Sequence, residues 1–377
     1  MARRISFLLA SVLSAVAAIG GGSSVPTSFK PPAGSPVAQH GRIRVQGSQL
    51  VDEHGVPVRL RGMSMFWSQW GGKYWNDDVV QWLVRDWKIS LLRAPMGVED
   101  GGYLEGPESE RQTVTVVVDA AIRAGIYVII DWHDHRAEKH EGDARKFFDK
   151  MAKLYGRFPN VFFEIFNEPV LQSWLHDIRP YEQDIVKVIR KRTNNLIICG
   201  TRLWSQEVDV ASEHPLEGSL NVAYTLHFYA ASHREGLRQK ARAALGSGVV
   251  LFVTEWGTCS ADGDGDVDLH EARLWLNFLA EHNISDANWA VGDKDEACSA
   301  LVAGASEEGG WASKAGRHTV LTSSGRFARE SLRAFAEGRD EKVIADGASQ
   351  PCRTSLLWVF IAAAMLAWTL GRPRLSH

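Results

Sequence analysis

Eight short apolar runs recur along the middle of the chain, and this repetition constrains the fold more than any other feature. Amphipathic stretches with helical periodicity follow the runs, for example DDVVQWLVRDW and EARLWLNFLAEH. Eight βα units in roughly 250 residues predict an α/β fold, a single (β/α)8 TIM barrel. An open doubly wound sheet is the alternative, but no glycine-rich phosphate turn follows the first run. The runs occupy residues 58–66, 89–96, 127–133, 161–167, 196–201, 222–229, 249–256 and 286–292.

The two ends of the chain differ from this middle block. Residues 1–22 combine Arg3 and Arg4 with an apolar run and small residues, which is typical of a secretory signal peptide; a signal anchor is the alternative. Residues 23–40 predict a linker, 41–338 the barrel domain and 339–355 a polar spacer. Residues 356–370 carry no charge and predict a short transmembrane segment or a lipid-anchor signal.

The two ends of the chain predict the cellular location of the barrel domain. Both interpretations of the tail place the barrel in the secretory pathway, extracellular or at the cell surface, and attached to a membrane through residues 356–370. The net charge of -3 argues against a nucleic-acid partner. We expect a monomer.

Tryptophan and cysteine are informative in different ways. The chain has 14 Trp residues, which either fill the core or line a groove for flat sugar rings. Cys199 lies in an apolar run and predicts a buried free thiol. Cys259 and Cys298 each follow the end of a run, so they either form a disulfide or remain free.

Active sites of such barrels form at the carboxyl ends of the strands. Any one polar residue there is commonly structural, but a whole rim of them predicts a site. Glu168 and Glu255 end the fourth and seventh runs, so they can face each other across the barrel mouth. Two opposed carboxylates are what cleavage of a glycosidic bond requires. The residues at the run ends are Arg93, His133, Asn167, Glu168, Trp204, His227, Tyr229, Glu255 and Trp289.

Other chemistries are not favoured by the sequence. The histidines are spread over separate runs, without the H-E-x-x-H spacing of a zinc site. A G-x-S-x-G nucleophile elbow is absent as well. We therefore expect neither a metal nor a cofactor.

Motifs around these run ends carry a resemblance to a known family. The chain resembles the glycoside hydrolase family 5 endoglucanases (cellulases), bacterial and invertebrate secreted cellulases in particular, over about residues 41–337. This implies a retaining endo-β-1,4-glucanase acting on cellulose or related β-glucans, with Glu168 as general acid/base and Glu255 as nucleophile. Retaining geometry places the two carboxyl groups about 5–5.5 Å apart. The matching motifs are LRGMSMFWSQW, LLRAPM, VIIDWH, EIFNEP, LHFYAASH, VTEWGT and ANWAVGDKDEACSAL.

The resemblance also implies substrate-binding roles. Arg93 and Tyr229 would hold the nucleophile, and Asn167 would contact the sugar 2-hydroxyl. His133 and His227 would flank the reacting sugar, and Trp289 would stack on it. Trp70 and Trp204 would form outer platforms, and Lys294 and Glu296 would contact sugars on the non-reducing side.

Two expectations concern the carboxylates themselves. A general acid must hold a proton near neutral pH, so we expect surroundings that raise the pKa of Glu168. Glu164 lies deeper in the same run. We expect it to join a buried polar network with Arg61 or Arg93.

Some questions stay open at this level. Phe66 and Gly97 stand where many bacterial relatives have His and Tyr, so another β-glycanase, a mannanase or a xyloglucanase, is an alternative. A membrane-tethered glucan-binding protein without turnover is a second alternative. The stretch Ser260–Glu271 follows EF-hand spacing, and it is either a calcium loop or a cap for the next helix.

Overall fold

Eight parallel strands close into a barrel in the computed structural model, which describes residues 30–218, 221–305 and 320–339. Each of the eight predicted runs contains one strand, so the predicted (β/α)8 fold is confirmed. A two-stranded antiparallel hairpin, absent from the prediction, precedes the barrel. The hairpin strands are β1 (Arg44–Gln46) and β2 (Gln49–Val51), and the barrel strands are β3 (Arg61–Met65), β4 (Leu91–Gly97), β5 (Tyr127–His133), β6 (Val161–Glu164), β7 (Ile197–Cys199), β8 (Val222–Tyr229), β9 (Leu251–Gly257) and β10 (Asp286–Val291), with β10 pairing back onto β3.

Helices surround the barrel. Two single π-helical turns, Leu83–Trp87 and Trp174–Ile178, adjoin them. The helices are α1 (Pro36–His40), α2 (Ser68–Gly71), α3 (Asp77–Trp82), α4 (Pro107–Ala124), α5 (Glu141–Tyr155), α6 (Arg179–Arg190), α7 (Val208–Glu213), α8 (Glu235–Gly246), α9 (Leu269–Glu281) and α10 (Ser323–Ala336).

Helix α4 shows how local sequence defines these elements. Pro107 stands at its start, where the missing N–H costs nothing, and Glu108 adds negative charge at the positive end of the helix dipole. Gly125 ends the helix in the left-handed region, with φ of 71°. Val114, Val117, Val118 and Ala121 are buried, so one stripe of the helix packs on the sheet.

The strands separate two apolar cores by simple alternation. On β4 and β5, Leu92 and Val128 point outward into the core beneath the helices. Leu91 and Ile129 point inward and fill the lower barrel. Arg93 follows Leu91 on the inner face, so the barrel interior changes from apolar to charged towards its carboxyl end. This gradient leaves the upper end available for chemistry.

The segment before β3 covers the lower end of the barrel. Val37 of α1 and Ile43 are buried in the inner core, and the Tyr127 hydroxyl donates to the carbonyl of Gly41 at 2.6 Å. The predicted linker 23–40 therefore contains α1 in its last residues. Ser35 caps this helix ahead of a proline, and the same Ser and Pro residues also characterise linkers.

The remaining boundary predictions fall at the chain ends. The predicted signal peptide 1–22, the tail 356–370 and nearly all of the spacer 339–355 lie outside the described residues. Within the described ranges, no helix combines the length and apolarity that a membrane crossing requires.

A disulfide joins the loops that follow β9 and β10. Cys259 and Cys298 form this bond, which closes the pairing left open by the sequence, and Cys199 is a buried free thiol as predicted. The amide of Cys298 also donates to the carbonyl of Gly263 at 3.1 Å. The two loops therefore form one wall of the barrel mouth.

The acidic loop of residues 260–271 caps a helix. Asp268 accepts from the amide of Glu271 at 2.9 Å at the start of α9, and it pairs with Arg234 at 2.9 Å. The Glu271 carboxylate is bound by Arg234 and Arg238. Because these arginines occupy the carboxylates at the end of the EF-hand-like pattern, the structure supports the helix-cap interpretation.

Candidate active site

A cleft of about 700 Å³ opens at the carboxyl ends of the strands. Arg93 and Asn167 lie beneath its floor, both fully buried. All other residues predicted for the site line the cleft, and His135, His233, Trp67 and Gln206 line it in addition. The predicted lining residues are Trp70, His133, Glu168, Trp204, His227, Tyr229, Glu255, Trp289, Lys294 and Glu296.

The two predicted carboxylates face each other in this cleft. One oxygen each of Glu168 and Glu255 and one ring nitrogen of His227 lie within 4.8 Å of one another. Retaining glycosidases place their carboxyl groups about 5–5.5 Å apart, whereas inverting enzymes need about 6.5–9.5 Å to admit a water. The separation therefore fits direct nucleophilic attack.

Glu255 is held by two donors. Arg93 Nη1 donates to its Oε2 at 2.8 Å, and the Tyr229 hydroxyl donates to its Oε1 at 2.6 Å. Both contacts were implied for Arg93 and Tyr229. Charge-assisted bonds of this kind orient a carboxylate and match its negative charge.

Arg93 is the centre of a buried ionic network. Its guanidinium also contacts Glu164 at 2.7 Å, Asp131 at 2.9 Å and the side-chain oxygen of Asn167 at 2.6 Å. Burial alone would lower the pKa of Arg93, but the surrounding carboxylates raise it, so the guanidinium stays charged. The buried polar network expected for Glu164 is thus formed with Arg93.

The other arginine considered for Glu164 serves a different strand. Arg61 of β3 pairs with Asp286 of β10 at 2.7 Å, and both side chains are buried. This pair lies where the barrel closes. The two buried arginines therefore belong to separate ion pairs.

Glu168 lies between two histidines. His227 Nδ1 is 2.9 Å from its Oε1, and His135 Nε2 is 3.2 Å from its Oε2. Burial would raise the pKa of Glu168, but these hydrogen bonds and the charge of the imidazoles lower it. The expectation of a raised pKa is therefore wrong for the unliganded site.

The proton of this pair resides on the imidazole instead. Burial lowers the pKa of His227, but the charge of Glu255 and the hydrogen bonds that the imidazole donates to Glu164 and Glu168 raise it to about 9. The histidine and the carboxylate together still hold one proton near neutral pH. A proton transfer across their hydrogen bond would convert Glu168 into the acid.

A continuous chain of buried groups joins the two carboxylates. His227 Nε2 lies 2.8 Å from the Thr254 hydroxyl, which donates to Glu164 at 2.6 Å. Glu164 contacts Arg93, which donates to Glu255. All of these contacts are hydrogen bonds, so a change in the charge of one carboxylate affects the other carboxylate.

In the described part of the chain, one cluster of acidic, His or Cys side chains could share a metal ion, and it consists of Glu168, His227 and Glu255. The available atoms of Glu168, His227 and Glu255 already have protein hydrogen-bond partners. Hydrogen bonds within the protein therefore already hold these three side chains in place.

His133 and Trp289 form a second wall. His133 Nδ1 lies 2.6 Å from Asp131, and burial lowers the pKa of His133, as does the nearby Arg93. The His133 ring is parallel to that of Trp289, with centroids 5.5 Å apart, and it meets the edge of Trp67. A neutral imidazole beside a flat indole suits a sugar ring with its hydroxyls.

Two further indoles extend into solvent. Trp70 is 56 % exposed and Trp204 is 42 % exposed, which is unusual for side chains of this size. Both line the cleft, as outer platforms would. Lys294 and Glu296 form an ion pair at 2.5 Å on the same cleft wall.

The two departures from the family pattern have structural consequences. A Cβ on Gly97 would lie 1.9 Å from Oε1 of Gln69, so that side chain occupies the space beside the glycine. Phe66 packs against Trp289 with ring centroids 5.4 Å apart. The Gln69 side chain and the Phe66 ring therefore shape this part of the cleft.

Two residues that the sequence did not indicate, His135 and Thr254, contact Glu168 and His227 respectively. His135 follows His133 by two positions in WHDH, and strand alternation could have placed it on the same side. Thr254 directly precedes Glu255, so alternation would have sent it outward. The β8–β9 register shifts between Thr225 and His227, and this bulge turns both Thr254 and Glu255 towards the network.

The barrel with its opposed carboxylates defines a class, the retaining glycoside hydrolases. Comparison with known proteins identifies the family. The model of the cellulase family (glycosyl hydrolase family 5) matches residues 51–295. The chain belongs to this family, whose members retain the anomeric configuration, and it is a glycoside hydrolase of the endoglucanase type.

Curated relatives and solved structures agree with this assignment. An endoglucanase from Clostridium saccharobutylicum is 40% identical over 335 residues, 88% of this chain and 72% of that protein. Endoglucanase Z from Dickeya dadantii is 51% identical over 243 residues, 63% of this chain and 57% of that protein. The chain thus spans little more than half of this second relative.

The structural relatives are matched over nearly their whole length. A structure from Cytophaga hutchinsonii has a TM-score of 0.78 and 47% identity, covering 81% of this chain and 98% of that one. The catalytic domain of an endoglucanase from Thermobifida fusca has a TM-score of 0.74 and 33% identity, covering 80% and 100%. The similarity therefore lies in the barrel.

Proposed function

We propose that the protein hydrolyses internal β-1,4 bonds of cellulose or related β-glucans, with Glu255 as nucleophile and Glu168 as general acid/base. The observation that carries this proposal is the pair of carboxylates within 4.8 Å of each other in an indole-lined cleft. An open cleft admits a long chain, which an endo-acting enzyme must bind.

The reaction has two steps. Glu255 attacks the anomeric carbon while the glycosidic C–O bond breaks, and Glu168 gives its proton to the leaving oxygen. The enzyme then carries a covalent glycosyl ester. Glu168 next takes a proton from water, whose oxygen attacks the anomeric carbon and releases Glu255.

His227 supplies the proton for the first step. In the free enzyme the imidazole carries it, 2.9 Å from Glu168. The Glu168 side chain is 13 % exposed, and a bound sugar would cover it. Removal of water disfavours the charged carboxylate, so the proton moves to Glu168 when the leaving oxygen is in place.

The other contacts hold the sugar. The Nδ2 group of Asn167 is buried without a protein partner, which suits a bond to the 2-hydroxyl. His133 and His227 flank the reacting sugar, Trp289 stacks on it, and Trp70 and Trp204 bind sugars farther out. Lys294 and Glu296 contact sugars on the non-reducing side.

We also propose that the enzyme works outside the cytoplasm as a monomer. The pattern of residues 1–22 supports export, and the uncharged residues 356–370 support attachment to a membrane. Fractionation of the full chain before and after a carbonate wash tests the attachment. Recovery of all activity in the soluble fraction before the wash would contradict it.

The decisive experiment is a product profile on a panel of carboxymethyl-cellulose, mannan, xyloglucan and xylan, with the anomer read by NMR. We expect fastest turnover on the β-1,4-glucan and a first product of β configuration. Glu168→Gln should lose about 10²-fold or more on this substrate, and the exposed Glu281→Gln should lose nothing. An α product would refute the mechanism, and faster turnover of mannan would refute the substrate.

A further inference from the structure

Three consecutive residues after β7 adopt a left-handed backbone. Leu203, Trp204 and Ser205 have φ of 58°, 53° and 55°, and none of them is glycine. The left-handed conformation is unfavourable for each such residue, because its Cβ comes too close to the following carbonyl oxygen. Such a turn persists only where surrounding contacts enforce it, and strained turns concentrate at functional sites.

The contacts that enforce this turn lead to the loop carrying Glu168. The amide of Leu203 donates to the carbonyl of Val170 at 3.0 Å, and that of Trp204 donates to the carbonyl of Pro169 at 2.8 Å. The hydroxyl of Ser205 donates to the carbonyl of Asn167 at 2.8 Å. The turn thus binds carbonyls on both sides of Glu168.

Ser205 is the buried centre of the turn. Its side chain is fully buried, and its hydroxyl accepts from the amide of Thr201 at 3.2 Å while donating to Asn167. The hydroxyl therefore links the end of β7 to the residue preceding Glu168. The backbones also approach closely next to the turn, because a Cβ on Gly200 would lie only 2.2 Å from the carbonyl oxygen of Phe166.

The backbone immediately around Glu168, at residues 167–169, has few other hydrogen bonds. Strand β6 ends at Glu164, four residues earlier. Beyond it, the amides of Asn167 and Glu168 donate to carbonyls of the β5 side at 3.3 Å, which is long for such a bond. At residues 167–169, the shorter backbone bonds come from the left-handed turn.

We propose that Ser205 is a positioning residue for the acid/base Glu168, held in its left-handed conformation so that its hydroxyl fixes the carbonyl before that carboxylate. The same turn presents Trp204 to the cleft, so the indole platform and the proton donor share one rigid support. This inference rests on the proposed role of Glu168.

Leaving-group dependence tests the proposal, because only poor leaving groups need a proton from Glu168. We compare hydrolysis of phenyl and 2,4-dinitrophenyl β-cellobiosides by the full chain and by Ser205→Ala. A displaced acid should slow kcat on the phenyl substrate about 10-fold or more. On the dinitrophenyl substrate the glycosylation step should change less than about twofold.

Three further variants complete the test. Ser205→Gly accepts the positive φ without strain but lacks the hydroxyl, so it should show the same leaving-group-dependent loss even if Ser205→Ala folds poorly. Ser212→Ala removes a buried hydroxyl from α7 that bonds only within its own helix, and it should behave as wild type. The Glu168→Gln variant gives the rate that is expected when general-acid assistance is lost completely.

The outcomes separate the two proposals. A wild-type enzyme that cleaves neither cellobioside, or a Glu168→Gln variant without leaving-group dependence, would overturn the proposed function and this inference with it. If Glu168→Gln shows the dependence, but the Ser205 variants slow both substrates equally or neither, the function stands and the role of Ser205 is wrong.

Discussion

His227 should set the alkaline limit of activity, and His227→Asn is the change that tests it. The imidazole holds the proton that Glu168 needs, with Nδ1 2.9 Å from the carboxylate. Asparagine places an amide nitrogen near the position of Nδ1, so the variant keeps a donor to Glu168. It loses the group that can store a proton at neutral pH.

The size of the effect follows from the proton balance. The surrounding carboxylates raise the pKa of His227 to about 9, so the pair keeps its proton at pH 7 and loses it as the pH rises through about 9. In the variant the carboxyl must hold the proton by itself, and an ordinary Glu has a pKa of about 4.3. At pH 7 only about one such carboxyl in 500 is protonated. We therefore expect kcat/KM at pH 7 to fall by about 500-fold.

The assay is kcat/KM from pH 5 to 11 on phenyl and 2,4-dinitrophenyl β-cellobiosides. With the phenyl substrate, wild type should lose activity above about pH 9, whereas the variant should recover activity towards pH 5. Cleavage of the dinitrophenyl substrate needs no general acid, so its rate in the variant shows whether the substitution has damaged any other part of the site. An alkaline limit at the same pH in both proteins would refute the assignment of the proton to His227.

Three further predictions concern the nucleophile, a platform and the disulfide. Glu255→Ala should lose about 10³-fold or more in kcat, and azide should restore turnover as an α-glycosyl azide seen by NMR; a β-azide would contradict attack from that face. Trp204→Ala should raise KM for long cello-oligosaccharides about 3–10-fold at nearly constant kcat, as expected for the loss of one stacking contact; an unchanged KM would mean that the indole binds no sugar. Replacing Cys259 and Cys298 by serine opens a covalent loop with a sequence separation of 39, and the free energy of unfolding in urea should fall by about 4 kcal/mol; equal urea midpoints for variant and wild type would show that the bond constrains little.

Much of the fold was predictable because the signals are local and repeated. Parallel strands covered on both faces must be apolar throughout, so the eight runs were visible without knowledge of their partners. Barrel closure then brings their carboxyl ends together. Glu168 and Glu255 could be paired across the mouth for this reason alone.

The lower end of the barrel was not predictable in the same way. Ser35 and Pro36 are signals for a helix start and for a linker alike, and only the burial of Val37 decides between them. The hairpin of β1 and β2 is short, and it is stable only because its side chains fill the barrel base. Tertiary packing therefore decided that this segment is structured.

Burial patterns and strand order were enough to predict the barrel, the two carboxylates and the aromatic cleft. The location of the proton follows only from the folded molecule. The pKa values of Glu168 and His227 depend on charges from strands β6, β8 and β9 and from the segments after β5 and β6, and a bulge in β9 brings Thr254 into their network. The left-handed turn that holds the Glu168 loop likewise depends on contacts between segments far apart in sequence, which no local pattern encodes.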